Sequence, residues 1–209
     1  MDIFWLSILG GVVSLDTSYI LQAGFSQPII LSTLLGLIYN APHIAIKVGI
    51  ILQFMLLNKA VGEMVLLPEM PVVTILSVFW CIKYETTNLF LCLAVFVISL
   101  LLGKIYRHIV LELRKFNKLF VYLAEKLILS DKAHLTPFLL HFSNIIFFIF
   151  TALFLLVCLY FGDFIVKGMN KLPIPIKLGE EFVCDILLLL GLIASLRMFA
   201  GIKGKMIIK

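Results

Sequence analysis

The sequence predicts an all-α, polytopic integral membrane protein, with broken or re-entrant helices in its N-terminal half and a cytoplasmic amphipathic helix. Three observations carry this. First, 62% of the 209 residues are hydrophobic, only 14% are charged, and the mean hydropathy is +1.14. A water-facing domain carries about a quarter charged residues, so a bilayer is the solvent that fits. Second, residues 86–103 and 138–162 contain no charge, and each approaches or exceeds the roughly 20 residues a helix needs to cross a hydrocarbon core of about 30 Å. Third, the apolar sequence before residue 75 is cut repeatedly by Pro, Gly and isolated polar residues, in pieces too short to span.

In chain order, Ile3 to Leu15 is an apolar run closed by Asp16. Met1-Asp2-Ile3 has no basic region and no small-residue cleavage site, so this run is expected to stay in the mature chain. Breaks follow at Gln27-Pro28, at Asn40-Ala41-Pro42, and at Pro68-Glu69-Met70-Pro71. Proline lacks an N–H and cannot continue a helix, so each break must be buried in protein or wetted by a pocket. Residues 1–103 are therefore read as a membrane region of discontinuous helices holding the candidate site.

The net charge of +5 is concentrated. Residues 104–134 hold seven basic and three acidic residues, and Lys203, Lys205 and Lys209 sit in the tail, so everything else is net negative. The positive-inside rule places residues 104–136 and the tail in the cytoplasm. Ile105, Ile109, Leu113, Phe116, Phe120, Leu123 and Leu127 recur at helical spacing, while Arg107, Arg114 and Lys118 fall elsewhere on the wheel. That pattern predicts an amphipathic helix resting on anionic headgroups, with the bilayer as partner. Residues 137–209 supply the second span, an external loop at Leu172-Pro173-Ile174-Pro175, a third run over 186–196 and the basic tail.

Some positions are costly in lipid and so are candidate functional residues. Asp16 precedes a charge-free stretch, Thr17 to Ile46, and either caps a helix beginning at Thr17 or faces a ligand. Lys47 either snorkels to the headgroups or pairs with Asp16, Glu63 or Glu69. Gln22, Asn40 and Gln53 both donate and accept, which suits interhelical contacts as well as ring hydroxyls of a sugar. The four cysteines lie singly in apolar runs without a CxxC pair and read as small hydrophobes. His43, His108, His134 and His141 do not cluster with carboxylates, so no catalytic set, metal site or cofactor motif is expected. Nucleic-acid binding is not expected either, since the basic residues already satisfy a topology rule.

Gly11-Val12-Val13-Ser14-Leu15-Asp16, then Gln22, Ser26-Gln27-Pro28-Ile29-Ile30, and Leu34-Leu35-Gly36-Leu37 resemble the opening of the IIC membrane subunits of the mannose/fructose/sorbose family of bacterial sugar phosphotransferase systems. Ile51-Leu52-Gln53 and Pro68-Glu69 occupy the places of that family's Leu-Glu pair and Pro-Asp turn. The likeness runs over residues 10–75, about a third of the chain. Departures are Gln27 for an arginine, Gln53 for an acidic residue, and Lys47 among small residues.

The resemblance implies a sugar-translocating subunit in the inner membrane, not catalytic by itself. It would work as an oligomer with a IID membrane subunit and with the soluble phosphocarriers IIA and IIB. A hexose would be held in a polar cavity and presented to IIB for phosphorylation, with Asp16, Gln22, Gln53 and Glu69 contacting the sugar and Pro28 and Pro68 shaping the breaks. The alternative is a structural or regulatory subunit that keeps the fold without transporting.

Overall fold

The computed structural model describes residues 3–16, 24–57, 69–84, 89–130, 133–170 and 189. It is 93% helical, and no strand occurs among the described residues. Among the described residues the α-helices are α1 (Ile3–Asp16), α2 (Pro28–Ile38), α3 (Pro42–Leu57), α4 (Met70–Lys83), α5 (Leu89–Leu129) and α6 (Thr136–Asn170). The predicted third run, the Pro173/Pro175 loop and the basic tail lie outside the described residues.

The breaks fall where the sequence puts them. Pro28 opens α2 and Pro71 lies in the first turn of α4, where a missing N–H costs nothing. Between α2 and α3 the chain reverses through Tyr39, Asn40 and Ala41, and Asn40 takes φ 53, a left-handed conformation that Asn tolerates better than most residues. At 11 and 16 residues, α2 and α3 are about 17 and 24 Å long, short of the hydrocarbon thickness.

Close helix contacts are made by small residues, as expected where no hydrophobic force separates helix from lipid. Ser32 and Gly36 of α2 face Ala45 and Gly49 of α3 in an antiparallel register. A Cβ on Gly36 would stand 2.6 Å from that of Ala45, and one on Gly49 would strike the Ser32 side chain. Ser7, Gly10, Gly11 and Ser14 give α1 a similar face, on which Phe148 and Leu155 of α6 and Ile75 of α4 pack. The Ser7 and Ser14 hydroxyls each donate at 2.8 Å to a carbonyl one turn back in the same helix.

α4 is the hub. It touches α1, α2, α3, α5 and α6, and Pro71 to Ile82 are all buried. A predominantly apolar helix whose only charge, Lys83, stands at its last residue belongs in such a position. Its antiparallel register with α5 is fixed at one end by Glu69 N–H donating to Gly103 O at 3.3 Å.

α5 and α6 form a long antiparallel hairpin closed by a turn of 3-10 helix, Ala133–Leu135. Residues 105–129 are helical as expected, and that helix is continuous with the preceding span: 41 residues, about 60 Å, twice the hydrocarbon thickness. Gly103 does not end it because a lone Gly costs only about 1 kcal/mol in a helix and no proline follows. The apolar stripe divides in two. Tyr106 and Val110 are buried, with Phe120 half-buried, and Tyr106 hydrogen-bonds Thr151 and packs on Phe154, while Phe120 meets Phe142. Ile105, Phe116 and Leu123 point away from α6 and are exposed.

Candidate functional site

The strongest cluster of sequence-predicted residues lies at the break between α1 and α2. Asp16 is the last residue of α1, and its carboxylate is only 4% exposed. Asp16 Oδ2 accepts the Ser26 N–H at 3.0 Å, so the carboxylate holds the turn that leads into α2. That turn uses Gly24 at φ 80 and a Gln27 N–H to Gly24 O bond of 3.0 Å. A negative charge near the start of α2 is favoured by the helix dipole, whereas at the end of α1 it is disfavoured, so its ties are to the element that follows.

Gln53 joins this end of the molecule through the α2–α3 register. Ser32 faces Gly49, and a Cβ on Gly49 would lie 3.1 Å from the Pro28 carbonyl oxygen; one turn further along α3, Gln53 is level with Pro28. Its Oε1 is buried and has no hydrogen-bond partner among the described residues. An orphaned buried acceptor costs about 1–3 kcal/mol, which is tolerable where a ligand or water supplies the donor. Pro28 is the first residue of α2, while Gln22 and Pro68 lie outside the described residues.

Glu69 is engaged elsewhere. It forms an ion pair with Arg107 of α5, and the two side chains are 11% and 15% exposed. Arg107, read from sequence as part of a basic surface, is thereby the partner of a predicted site residue. Lys47 is exposed, as the snorkelling reading requires, and its suggested partner Glu69 is bonded to Arg107 instead; Glu63 lies outside the described residues.

Two further groups escaped the sequence reading. At the opposite end of α4, Lys83 Nζ lies 2.7 Å from Asp163 Oδ1 and the Tyr84 hydroxyl donates to the same oxygen at 2.7 Å. Burial, and then the hydrogen bond to and charge of Asp163, raise the Tyr84 hydroxyl above its ordinary pKa. The signal was present: Lys83 and Asp163 each stand just outside a charge-free run. Within α4, Ser77 Oγ and Trp80 Nε1 are buried and have no hydrogen-bond partners among the described residues, and the Trp80 indole lies against Gly162. Nothing in the apolar run Val72 to Ile82 distinguishes them as orphans before the packing is known.

A groove of about 290 Å³ runs between the first turns of α1 and the last turns of α2, lined by Trp5, Leu6, Leu9, Leu35, Ile38 and Tyr39. Its walls are apolar, and none of the predicted ligand residues lines it.

The family model described as PTS system sorbose-specific IIC component matches residues 1–207. No curated protein matches the chain. The match covers almost the whole sequence and accords with the all-helical, apolar architecture, so the chain belongs to the sorbose-specific IIC family, the membrane permease components of sugar phosphotransferase systems.

Proposed function

We propose that the chain binds a hexose at the broken N-terminal helices and delivers it across the inner membrane to a IIB phosphocarrier. The supporting observation is the gathering of Asp16, Pro28 and Gln53 at one helix break, with the Gln53 Oε1 buried and unpartnered. A sugar hydroxyl is the donor that acceptor lacks, and the Asp16 carboxylate is the charged member of the proposed contact set. Gln22 and Glu69 belong to the same proposed contact set, Glu69 acting while bonded to Arg107. Pro28 and Pro68 keep the helix ends open, because neither can extend a helix backwards.

The mechanism is alternating access. The sugar enters from outside, the broken helices close over it, and the site opens towards the cytoplasm, where IIB phosphorylates the cargo. This subunit contributes binding and movement, and phosphoryl transfer belongs to the soluble IIA and IIB proteins. IID is the proposed membrane partner in the oligomer. The Lys/Arg excess of residues 104–134 orients that part of the chain to the cytoplasm, and the tail with it, in a multi-pass topology.

The test is hexose binding by the purified complex with IID, followed by uptake in vesicles supplied with IIA and IIB. Saturable binding that weakens in Asp16→Asn supports the proposal. A complex that binds no hexose, with Asp16→Asn indistinguishable from wild type, overturns it in favour of a structural subunit.

A further inference from the structure

Cys81 lies near the end of α4 and Cys92 near the start of α5. The antiparallel register set by Glu69 and Gly103 runs the length of the pair and brings Cys81 opposite Leu91 and Cys92. The two side chains meet: the thiols are in hydrogen-bond contact. Both are buried, Cys81 at 1% exposure and Cys92 at 7%. Four single cysteines in apolar runs gave no sign of this, because the pairing is made by a helical hairpin and not by local spacing.

We infer that Cys81 and Cys92 form a redox-closable clasp, a dithiol that converts to an intrachain disulfide joining the end of α4 to the start of α5. The oxidant is a low-molecular-weight disulfide. The Cys92 thiolate, the more accessible of the two, attacks one sulfur of the oxidant, forming a mixed disulfide and releasing one thiol. The Cys81 thiolate then attacks the Cys92 sulfur, breaking the mixed disulfide and releasing the second thiol. Two protons leave the cysteines and the oxidant takes up two electrons and two protons. Side chains in contact on facing helices are the starting arrangement that a disulfide needs, because cysteines whose Cα atoms stand more than about 7 Å apart cannot be bridged without backbone movement. Closure fixes the central helix α4, with its unpartnered Ser77 and Trp80 atoms, against α5.

The side from which the clasp closes rests on the orientation proposed above. With residues 104–134 in the cytoplasm, the start of α5 is at the outer face, where disulfides persist.

The test uses the full chain in sealed membrane vesicles of both orientations and in detergent. Each sample is treated with oxidised glutathione, then alkylated, digested and analysed by mass spectrometry. The expected result is a cross-linked Cys81/Cys92 peptide, two fewer alkylated thiols of the four, and an unfolding temperature raised by oxidation and restored by reductant. Cys81→Ser and Cys92→Ser each abolish the cross-link, and Cys158→Ser keeps it. Full alkylation of both residues after oxidant in all three preparations, or a cross-link to a different cysteine, overturns the inference. A cross-link formed in detergent and only from the cytoplasmic side upholds the clasp and overturns the orientation.

Discussion

Glu69 and Arg107 bind the head of the central helix to the middle of the longest one. The carboxylate stands at the N-cap of α4, the guanidinium lies one turn beyond Gly103 in α5, and both side chains are largely withdrawn from solvent. A charge in such a place is held by its partner, and removing the guanidinium takes from the Glu69 carboxylate the cation that it is bonded to. Arg107→Met should therefore destabilise the protein by about 3 kcal/mol. Glu69→Gln, which leaves an amide able to accept from Arg107, should cost less. Unfolding in detergent, followed by helical circular dichroism, checks the order; equal losses in the two variants would show that Arg107 acts through packing.

Gly49 should tolerate no side chain. A Cβ there collides with Ser32 and presses on the Pro28 carbonyl, and backbone cannot swing aside as a side chain can. Gly49→Ala should destabilise the α2–α3 hairpin by about 1–3 kcal/mol, the usual cost of overpacking. Ser32→Gly removes one of the two obstacles, so the double variant should recover part of the loss. Thermal unfolding of the three variants measures this, and an absence of any recovery would mean that the Pro28 contact alone sets the limit.

Much of the fold was legible because helix ends in this chain are written by proline. Pro28, Pro42 and Pro71 each begin a helix at the place the sequence marks. Membership of the family was legible too, from Gly11 to Glu69, and the full-length family match extends it. The continuity of α5 was not, because a composition change at Lys104 resembles a boundary although nothing at Gly103 stops a helix. Partners were hardest to read. Glu69 meets Arg107 across 38 positions and Tyr84 meets Asp163 across 79, and no local pattern encodes pairings that depend on helix register. Asp16 shows the intermediate case: its cost in lipid was evident from sequence, while the Ser26 N–H that satisfies it was not.

The cluster at the far end of α4 should be weaker than the Glu69–Arg107 pair. Lys83 and Asp163 side chains are 33% and 23% exposed, so water screens their attraction. Asp163→Asn keeps an acceptor for the Tyr84 hydroxyl and loses the ion pair; it should cost below about 1 kcal/mol. Asp163→Leu removes the carboxylate from both Lys83 and Tyr84 and leaves the Tyr84 hydroxyl only the residue-163 backbone carbonyl at 3.1 Å, so it should cost more, about 1–2 kcal/mol. If the two variants unfold together, Tyr84 contributes nothing through this bond.

Gln53 separates binding from stability. Its Oε1 is already unsatisfied, so replacing the amide by an apolar group of similar size removes a penalty and breaks no hydrogen bond made through that oxygen. Gln53→Leu should unfold at the same temperature as the wild type or slightly above it. If the orphaned oxygen receives a sugar hydroxyl, the same variant should bind hexose about tenfold more weakly, the equivalent of about 1.4 kcal/mol. Gln53→Glu keeps the acceptor, so it should retain binding where leucine loses it. Calorimetric titration of hexose into the two variant complexes, beside their unfolding curves, decides the matter. Equal affinity in wild type and Gln53→Leu, with unchanged stability, would take Gln53 out of the sugar contact set and leave Asp16 as its anchor.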